Sequence, residues 1–178
     1  RDGLGGTGTA NTAALAFGGT KPGAGNETEL YNGSSWSEVN NLNTAIGRMG
    51  SAGTQTSALA IGGEPDTTAK TESWNGTSWT EVGDLNAAKE SIAGTGANNT
   101  SALAFGGSLN PGITGQTEEW NGVSRTEVAD LSTARQSLGT SGIQTSALAF
   151  GGYVGPPGVT TATEEWSSSS NVIKQLTD

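Results

Sequence analysis

Apolar residues in this chain fall in short runs that recur at nearly equal intervals. In the most regular run, large and small side chains alternate ahead of a glycine pair; its four copies lie at 13–19, 57–63, 101–107 and 146–152. A period of two places the large side chains on one face of an extended strand. Self-similarity at a fixed spacing of 44 or 45 residues is the signature of a repeat architecture. The pattern therefore predicts four copies of one β-sheet unit.

A second block follows each apolar run after a gap of variable length. In three copies a Tyr or Trp precedes Asn-Gly, at Asn32-Gly33, Asn75-Gly76 and Asn121-Gly122. Asn-Gly between strand-like runs predicts a hairpin with a type I′ turn. The strand after this turn and a Gly/Thr-rich stretch before each apolar run, such as 92–96, bring the predicted strands to four per repeat. The small Ala residues of the apolar runs suit a strand near a crowded central axis.

The order of these blocks resembles the kelch motif: a glycine pair, an aromatic residue, and a Trp five residues later. The position of this Trp is held by Trp36, Trp79, Arg125 and Asn171 in the four copies. The residue near each repeat start is basic in three copies, the four being Arg1, Ile46, Lys89 and Arg135. The resemblance implies an all-β, kelch-type β-propeller of four-stranded antiparallel blades. It would form one domain over 1–178, with repeats at 1–45, 46–88, 89–134 and 135–178.

The number of repeats leaves three assemblies open, because kelch propellers more often close with six or seven blades. We favour a single chain that closes as a four-bladed propeller. Two chains could instead form an eight-bladed homo-oligomer, or the chain could be part of a larger array. The sequences of the repeats also resemble those of repeat proteins encoded by marine bacteriophages, including virion and tail-associated proteins. That second resemblance implies a virion or extracellular location.

Composition argues against several classes of function. The chain has no Cys and no His, which removes the commonest general base, the commonest metal ligand and the cysteine nucleophile. Its net charge of −9 is opposite in sign to what nucleic acids and anionic membranes attract. No apolar run approaches the roughly 20 residues of a membrane span, and no signal peptide is apparent. We therefore expect no cofactor, no nucleic-acid partner and no membrane insertion.

One recurring acidic residue precedes the aromatic of each repeat, at Glu29, Glu72, Glu118 and Glu164. Around a propeller axis these four carboxylates could form a ring that holds a hard cation such as Ca²⁺. The favoured interpretation is that each glutamate pairs with a basic or hydroxyl neighbour, so a metal site is not predicted. Paired carboxylates also suit glycoside hydrolysis, but no pair stands out from the rest. The chain is therefore predicted not to be an enzyme.

The gap after the glycine pair is the variable part of the repeat, at 20–28, 64–71, 108–117 and 153–163. Varied loops on a constant scaffold are typical of binding surfaces in repeat proteins. The candidate binding residues are Lys21, Pro22, Asn26, Glu64, Pro65, Asp66, Asn110, Pro111, Tyr153, Val154, Pro156 and Pro157. We expect a non-enzymatic binding or structural module that presents these loops to a cell-surface glycan or to another virion or surface protein. The alternative is a propeller-type glycoside-acting enzyme that uses carboxylates.

Overall fold

A computed structural model describes residues 1–156, 158–169 and 171–176. These residues form four antiparallel four-stranded sheets and one small two-stranded sheet, and they contain no helix. In particular, the described residues include no helix long and apolar enough to cross a membrane. The predicted all-β class, with four strands in each of four blades, is confirmed.

Each blade uses one repeat, and its four main strands pair in chain order. Blade 1 consists of β1 (Gly5–Ala10), β2 (Ala13–Phe17), β5 (Thr28–Tyr31) and β6 (Trp36–Val39), and a small hairpin of β3 (Thr20–Lys21) and β4 (Gly23–Ala24) lies between β2 and β5. Blade 2 consists of β7 (Gly50–Thr54), β8 (Ser57–Gly63), β9 (Thr68–Trp74) and β10 (Trp79–Val82). Blade 3 consists of β11 (Ala93–Asn98), β12 (Ser101–Phe105), β13 (Thr117–Trp120) and β14 (Arg125–Val128). Blade 4 consists of β15 (Gly139–Ile143), β16 (Ser146–Phe150), β17 (Thr163–Ser167) and β18 (Val172–Leu176).

The Gly/Thr-rich strands β1, β7, β11 and β15 are the innermost strands, and all four line one groove. Glycine is required where two of them approach each other. A Cβ on Gly94 would lie 2.8 Å from the carbonyl oxygen of Ser51 in the preceding blade. The strand that carries the Ala residues is the second in each blade, so it lies beside the innermost strand and does not itself line the axis.

The alternation of large and small side chains instead serves the packing of one blade on the next. Leu15 and Phe17 of β2 share a buried cluster with Ala58 and Ala60 of β8. Equivalent clusters join blade 2 to blade 3 and blade 3 to blade 4. The large face of one blade thus packs against the alanine face of its successor, with a Trp from β9, β13 or β17 completing each cluster.

The Asn-Gly sequences do form hairpins, but the predicted type I′ turn is wrong. Tyr31 pairs with Trp36, so the first turn has four residues, 32–35, rather than two. Only the glycine has a positive φ, 94° at Gly33. The Asn32 side chain instead accepts hydrogen bonds from the amides of Ser34 and Ser35, each at 3.0 Å. Asn is therefore favoured at this position because its side-chain oxygen accepts hydrogen bonds from backbone amides, as a backbone carbonyl does in a turn.

The blades follow one another in an open succession. Hydrophobic clusters and hydrogen bonds join blade 1 to 2, blade 2 to 3 and blade 3 to 4. Within the described ranges, no hydrophobic cluster, hydrogen bond or ion pair joins blade 4 to blade 1. The favoured assembly, a ring closed within one chain, therefore lacks its closing junction in this structure.

Candidate functional site

The four variable loops are anchored at equivalent points of their blades; they are loop 1 (20–28), loop 2 (64–71), loop 3 (108–117) and loop 4 (153–163). The first residue of each loop forms an antiparallel bridge with the residue three positions ahead of an innermost strand, the pairs being Asp2↔Thr20, Gly47↔Glu64, Glu90↔Ser108 and Gln136↔Tyr153. In blades 1, 3 and 4 the loop then turns back on itself as a small hairpin. Because their anchors are equivalent, the loops emerge on one side of the molecule, which we call the loop face.

The tip of loop 1 exposes two of the predicted binding residues, and a third forms a hydrogen bond within its blade. Lys21 and Pro22 are exposed, and the ammonium of Lys21 pairs with Glu27. The hydrogen bond from Lys21 lowers the pKa of the Glu27 carboxyl. Asn26, by contrast, donates from Nδ2 to the carbonyl oxygen of Leu42 at 3.1 Å. Asn26 therefore helps to fix the base of the loop through its amide nitrogen.

Loops 2 and 3 face each other across a groove of about 550 Å³. The groove brings together five of the predicted residues, Glu64, Pro65, Asp66, Asn110 and Pro111. It is lined as well by Glu90 and Ser108, which the sequence analysis did not single out. The bridge that joins Glu90 to Ser108 places both residues on this wall, and no repeat-level pattern marks either of them.

Three carboxylates give the groove a negative charge. Glu64 is partly neutralised, since its Oε1 lies 3.3 Å from Thr20 Oγ1 and 3.4 Å from Arg48 Nε. Asp66 and Glu90 form no ion pair within the described part of the chain. Proline rings and the Leu109 side chain supply apolar lining between these polar groups. Such a groove offers hydrogen-bond acceptors at its walls and flat apolar contacts.

Loop 4 stands beside loop 3 at the end of the series. Tyr153 pairs with both Gln136 and Val159, and its side chain is partly exposed. Val154 is half-buried and its amide donates to the carbonyl of Gly158 at 2.9 Å. Pro156 is exposed, whereas Pro157 lies outside the described residues. Val159, which the sequence analysis missed, is the more exposed apolar residue of this loop, at 81%.

The recurring glutamates lie at the junctions between blades and are not gathered into a ring. Glu72, Glu118 and Glu164 are buried on the third strand of their blades. Each carboxylate accepts a hydrogen bond from a backbone amide of the preceding blade, donated by Asn43, Asn86 or Ser132 at 2.8–3.0 Å. The described residues contain no group of three or more acidic side chains placed to share a metal ion.

In blades 1, 3 and 4, the basic residue near the repeat start neutralises the glutamate of its own blade. Lys89 Nζ lies 2.7 Å from Glu118 Oε1, and both side chains are fully buried. Arg135 pairs in the same way with Glu164, and Arg1 pairs with Glu29 in a more exposed setting. In blade 2 the basic residue is replaced by Ile46. There, Glu72 is held by three hydrogen bonds from Asn43 and Thr44.

Neither a protein-family model nor a curated protein matches this chain.

Proposed function

We propose that the chain is a non-enzymatic binding module whose loop face holds a partner in the groove between loops 2 and 3. The observation that carries this proposal is the groove itself. Residues from two unequal loops form its walls, and the scaffold fixes both loops by equivalent bridges. A rigid framework with variable loops is the general arrangement of a binding surface built on repeats.

An oligosaccharide is the partner class that the groove chemistry favours. Carboxylates and amides such as Asp66 and Asn110 accept and donate the hydrogen bonds that sugar hydroxyls need. Pro65 and Pro111 offer apolar surface to the C–H face of a sugar ring. The setting that we propose is a bacteriophage virion or another extracellular surface. The resemblance of the repeat sequences to kelch motifs and to phage repeat proteins supports that setting.

The test is binding of the fluorescently labelled chain to an array of immobilised oligosaccharides. We expect Asp66→Asn and Asn110→Ala each to weaken binding about tenfold, since one lost hydrogen bond to a ligand is worth about 1–1.5 kcal/mol. Thr126→Ala is the matched control, because Thr126 is exposed on the outer strand of the same blade as Asn110. Binding that survives both groove substitutions would exclude this groove as the site.

The same groove carries the alternative of a glycoside-acting enzyme. Its three carboxylates, Glu64, Asp66 and Glu90, line one space, and a pair of carboxylates is what glycoside hydrolysis uses. The oligosaccharides that bind are therefore incubated with the chain and analysed for new reducing ends. Turnover that Glu90→Gln or Asp66→Asn abolishes would replace the binding module with the enzyme.

A further inference from the structure

The three junctions within the chain follow one packing rule. At the third junction, Leu103 and Phe105 of blade 3 lie against Ala147, Ala149 and Trp166 of blade 4. The first and second junctions bring together the equivalent residues of blades 1 and 2 and of blades 2 and 3. Each junction therefore joins a large face on one blade to an alanine face on the next.

Blade 4 carries a large face on which none of the described residues packs as a neighbouring blade. We call this surface the last end face; it consists of Leu148, Phe150 and Leu176. Leu148 and Phe150 are 37% and 41% exposed, whereas the equivalent Leu103 and Phe105 are 0% exposed. The last end face is thus one half of a blade junction without its other half.

Blade 1 carries the opposite half. We call this surface the first end face; it consists of Leu4, Asn11, Ala14, Ala16 and Trp36. Trp36 is 50% exposed, while its equivalent Trp79 is 5% exposed. Leu4 is 42% exposed, while its equivalent Met49 is 7% exposed. Ala14 and Ala16 line a hollow of about 780 Å³ with Leu4 and Trp36.

Hydrogen-bonding groups on the two end faces are complementary in the same way as the apolar residues. At the first junction Trp79 Nε1 donates to Thr28 Oγ1 at 3.0 Å. Trp36 is the equivalent donor on the first end face. The equivalent acceptor on blade 4 is Thr163. Thr163 pairs with Phe150 in the same way as Thr28 pairs with Phe17.

A second polar contact follows the same rule. Gln144 of blade 4 donates from Nε2 to the carbonyl oxygen of Trp120 in blade 3 at 2.7 Å. Asn99 of blade 3 donates in the same way to Trp74 of blade 2. The equivalent residue on the first end face is Asn11, which is exposed.

We propose that the last end face of one copy of this chain docks on the first end face of a second copy. In this contact Leu148 and Phe150 pack against Ala14, Ala16 and Trp36 of the second copy. Trp36 Nε1 donates to Thr163 Oγ1, and Asn11 donates to the carbonyl oxygen of Trp166. The occupant is another copy of the chain because the two faces are the missing halves of a junction that the chain already forms three times.

Two such contacts close a ring of two chains. The contact is heterologous, so it generates either a closed ring or an open filament. Propellers typically have four to eight blades, and two chains of four blades give eight. The ring therefore continues the series of blades, and its two contacts between chains have the same packing as the blade junctions within each chain.

The experiment is sedimentation velocity and native mass measurement of the full chain over a range of concentrations. We expect a dimer, and we expect Phe150→Arg on the last end face and Ala16→Arg on the first to raise its dissociation constant at least about 100-fold each. Val123→Arg is the matched control, because Val123 is 83% exposed and belongs to neither face. Circular dichroism and thermal unfolding establish that each variant monomer is folded.

The two single-face variants also identify the kind of interface. A contact between like faces would be broken by one variant and spared by the other, and that result would overturn the proposal. A mixture of the two variants has one undamaged pair of faces, so it should recover dimers that neither variant forms alone. A wild-type chain that stays monomeric at all concentrations would also overturn the proposal. Longer assemblies that both variants abolish would retain the contact and exclude the two-chain ring.

This inference does not rest on the loop-face groove. The end-face substitutions lie outside the groove residues, and the readout is mass alone. Glycan binding by a dimerisation-deficient variant therefore reports on the proposed function separately from the assembly.

Discussion

At the scale of single residues, the buried ion pair of blade 3 is the feature whose loss we expect to be most destabilising. Lys89 and Glu118 are 0% and 1% exposed, so each leaves an uncompensated charge if its partner is removed. Glu118 also accepts a hydrogen bond from the amide of Asn86 in the preceding blade. The pair therefore links the interior of blade 3 to its junction with blade 2.

Lys89→Met should be strongly destabilising. Removal of one member of a buried ion pair costs about 3–5 kcal/mol, because the other charge stays desolvated. The measurement is the free energy of unfolding from urea titration. The double variant with Glu118→Gln should be less destabilised than the sum of the two single variants, since its buried charges are gone together. Additive effects would contradict the assigned pairing.

Lys70→Met is the matched control for Lys89→Met. Lys70 lies on an exposed surface and its ammonium is 2.9 Å from Glu81. The hydrogen bond that the Lys70 ammonium donates to the Glu81 carboxylate raises the pKa of Lys70, but solvent screens such exposed pairs. The free energy of unfolding should therefore remain nearly unchanged in this variant.

Arg125 shows how one position keeps its role with a different side chain. It occupies the position of Trp79, and its Nη2 donates to Thr71 Oγ1 at 2.9 Å much as the indole of Trp79 donates to Thr28. Its guanidinium also lies 5.3 Å from the ring centre of Trp120. Burial lowers the pKa of Arg125 to about 10. The charged form therefore opposes folding below about pH 10, and this penalty is progressively relieved as the pH rises above that value.

Arg125→Trp should leave the chain as stable as the wild type or more so. The indole retains a donor for Thr71 and removes the desolvated charge. Arg125→Ala should lower the free energy of unfolding by about 1–3 kcal/mol, because it removes the hydrogen bond and the packing. Urea titrations at pH 7 compare the three proteins. A less stable Arg125→Trp variant would show that the guanidinium makes a contact that an indole cannot replace.

At the scale of elements, the strands were predictable and the turns were not. The alternation of 101–107 correctly marks one strand with two different faces, because a period of two depends only on the local chain. The turn after Trp120 was misjudged, because Asn-Gly suits both a two-residue and a four-residue turn. Strand register decides between them, and here Trp120 pairs with Arg125. Register is set by packing across the sheet, which the local sequence does not encode.

The turn glycines give a test of this geometry. Gly76 and Gly122 have almost the same φ, 92° and 90°. A Cβ on Gly122 would lie 2.9 Å from Thr100 Cβ, whereas a Cβ on Gly76 would lie no closer than 3.4 Å to its nearest neighbour, the carbonyl oxygen of Thr56. Alanine at either site is strained by the positive φ at a cost of about 1–3 kcal/mol.

Gly122→Ala should be more destabilising than Gly76→Ala by about 1 kcal/mol, because only the first substitution adds a close contact with carbon. The midpoint of urea unfolding measures the difference. If the two variants are equally stable, the Thr100 side chain moves aside without strain.

At the scale of the whole molecule, the repeat predicts the blades but not how they are joined. The glutamate at position 118 was expected to have a basic or hydroxyl partner, and Lys89 is that partner. The amide of Asn86 was not foreseen, because it comes from the neighbouring blade. Closure could not be predicted either. The same residues suit any ring, and the inter-blade angle that sets the number of blades is a property of the packed junction.

The open ends predict an uneven distribution of stability along the chain. Within the part of the chain that the structure describes, blades 2 and 3 are packed on both faces, and blades 1 and 4 on one face each. In a repeat protein the stability of each unit depends on its neighbours. Backbone amides of β2 and β16 should therefore exchange with deuterium faster than those of β8 and β12 at low protein concentration.

This gradient should disappear as the concentration rises if the end faces dock on each other. Each terminal blade then gains the neighbour that it lacks, and exchange in β2 and β16 should slow towards that in β8 and β12. Mass spectrometry of peptides from the four strands, at two concentrations that differ 100-fold, measures the change. Phe150→Arg supplies the reference, because its terminal blades should exchange rapidly at both concentrations. Slow exchange in β16 of that variant would mean that blade 4 is stable without a neighbour, and the end faces would then not need a partner for their stability.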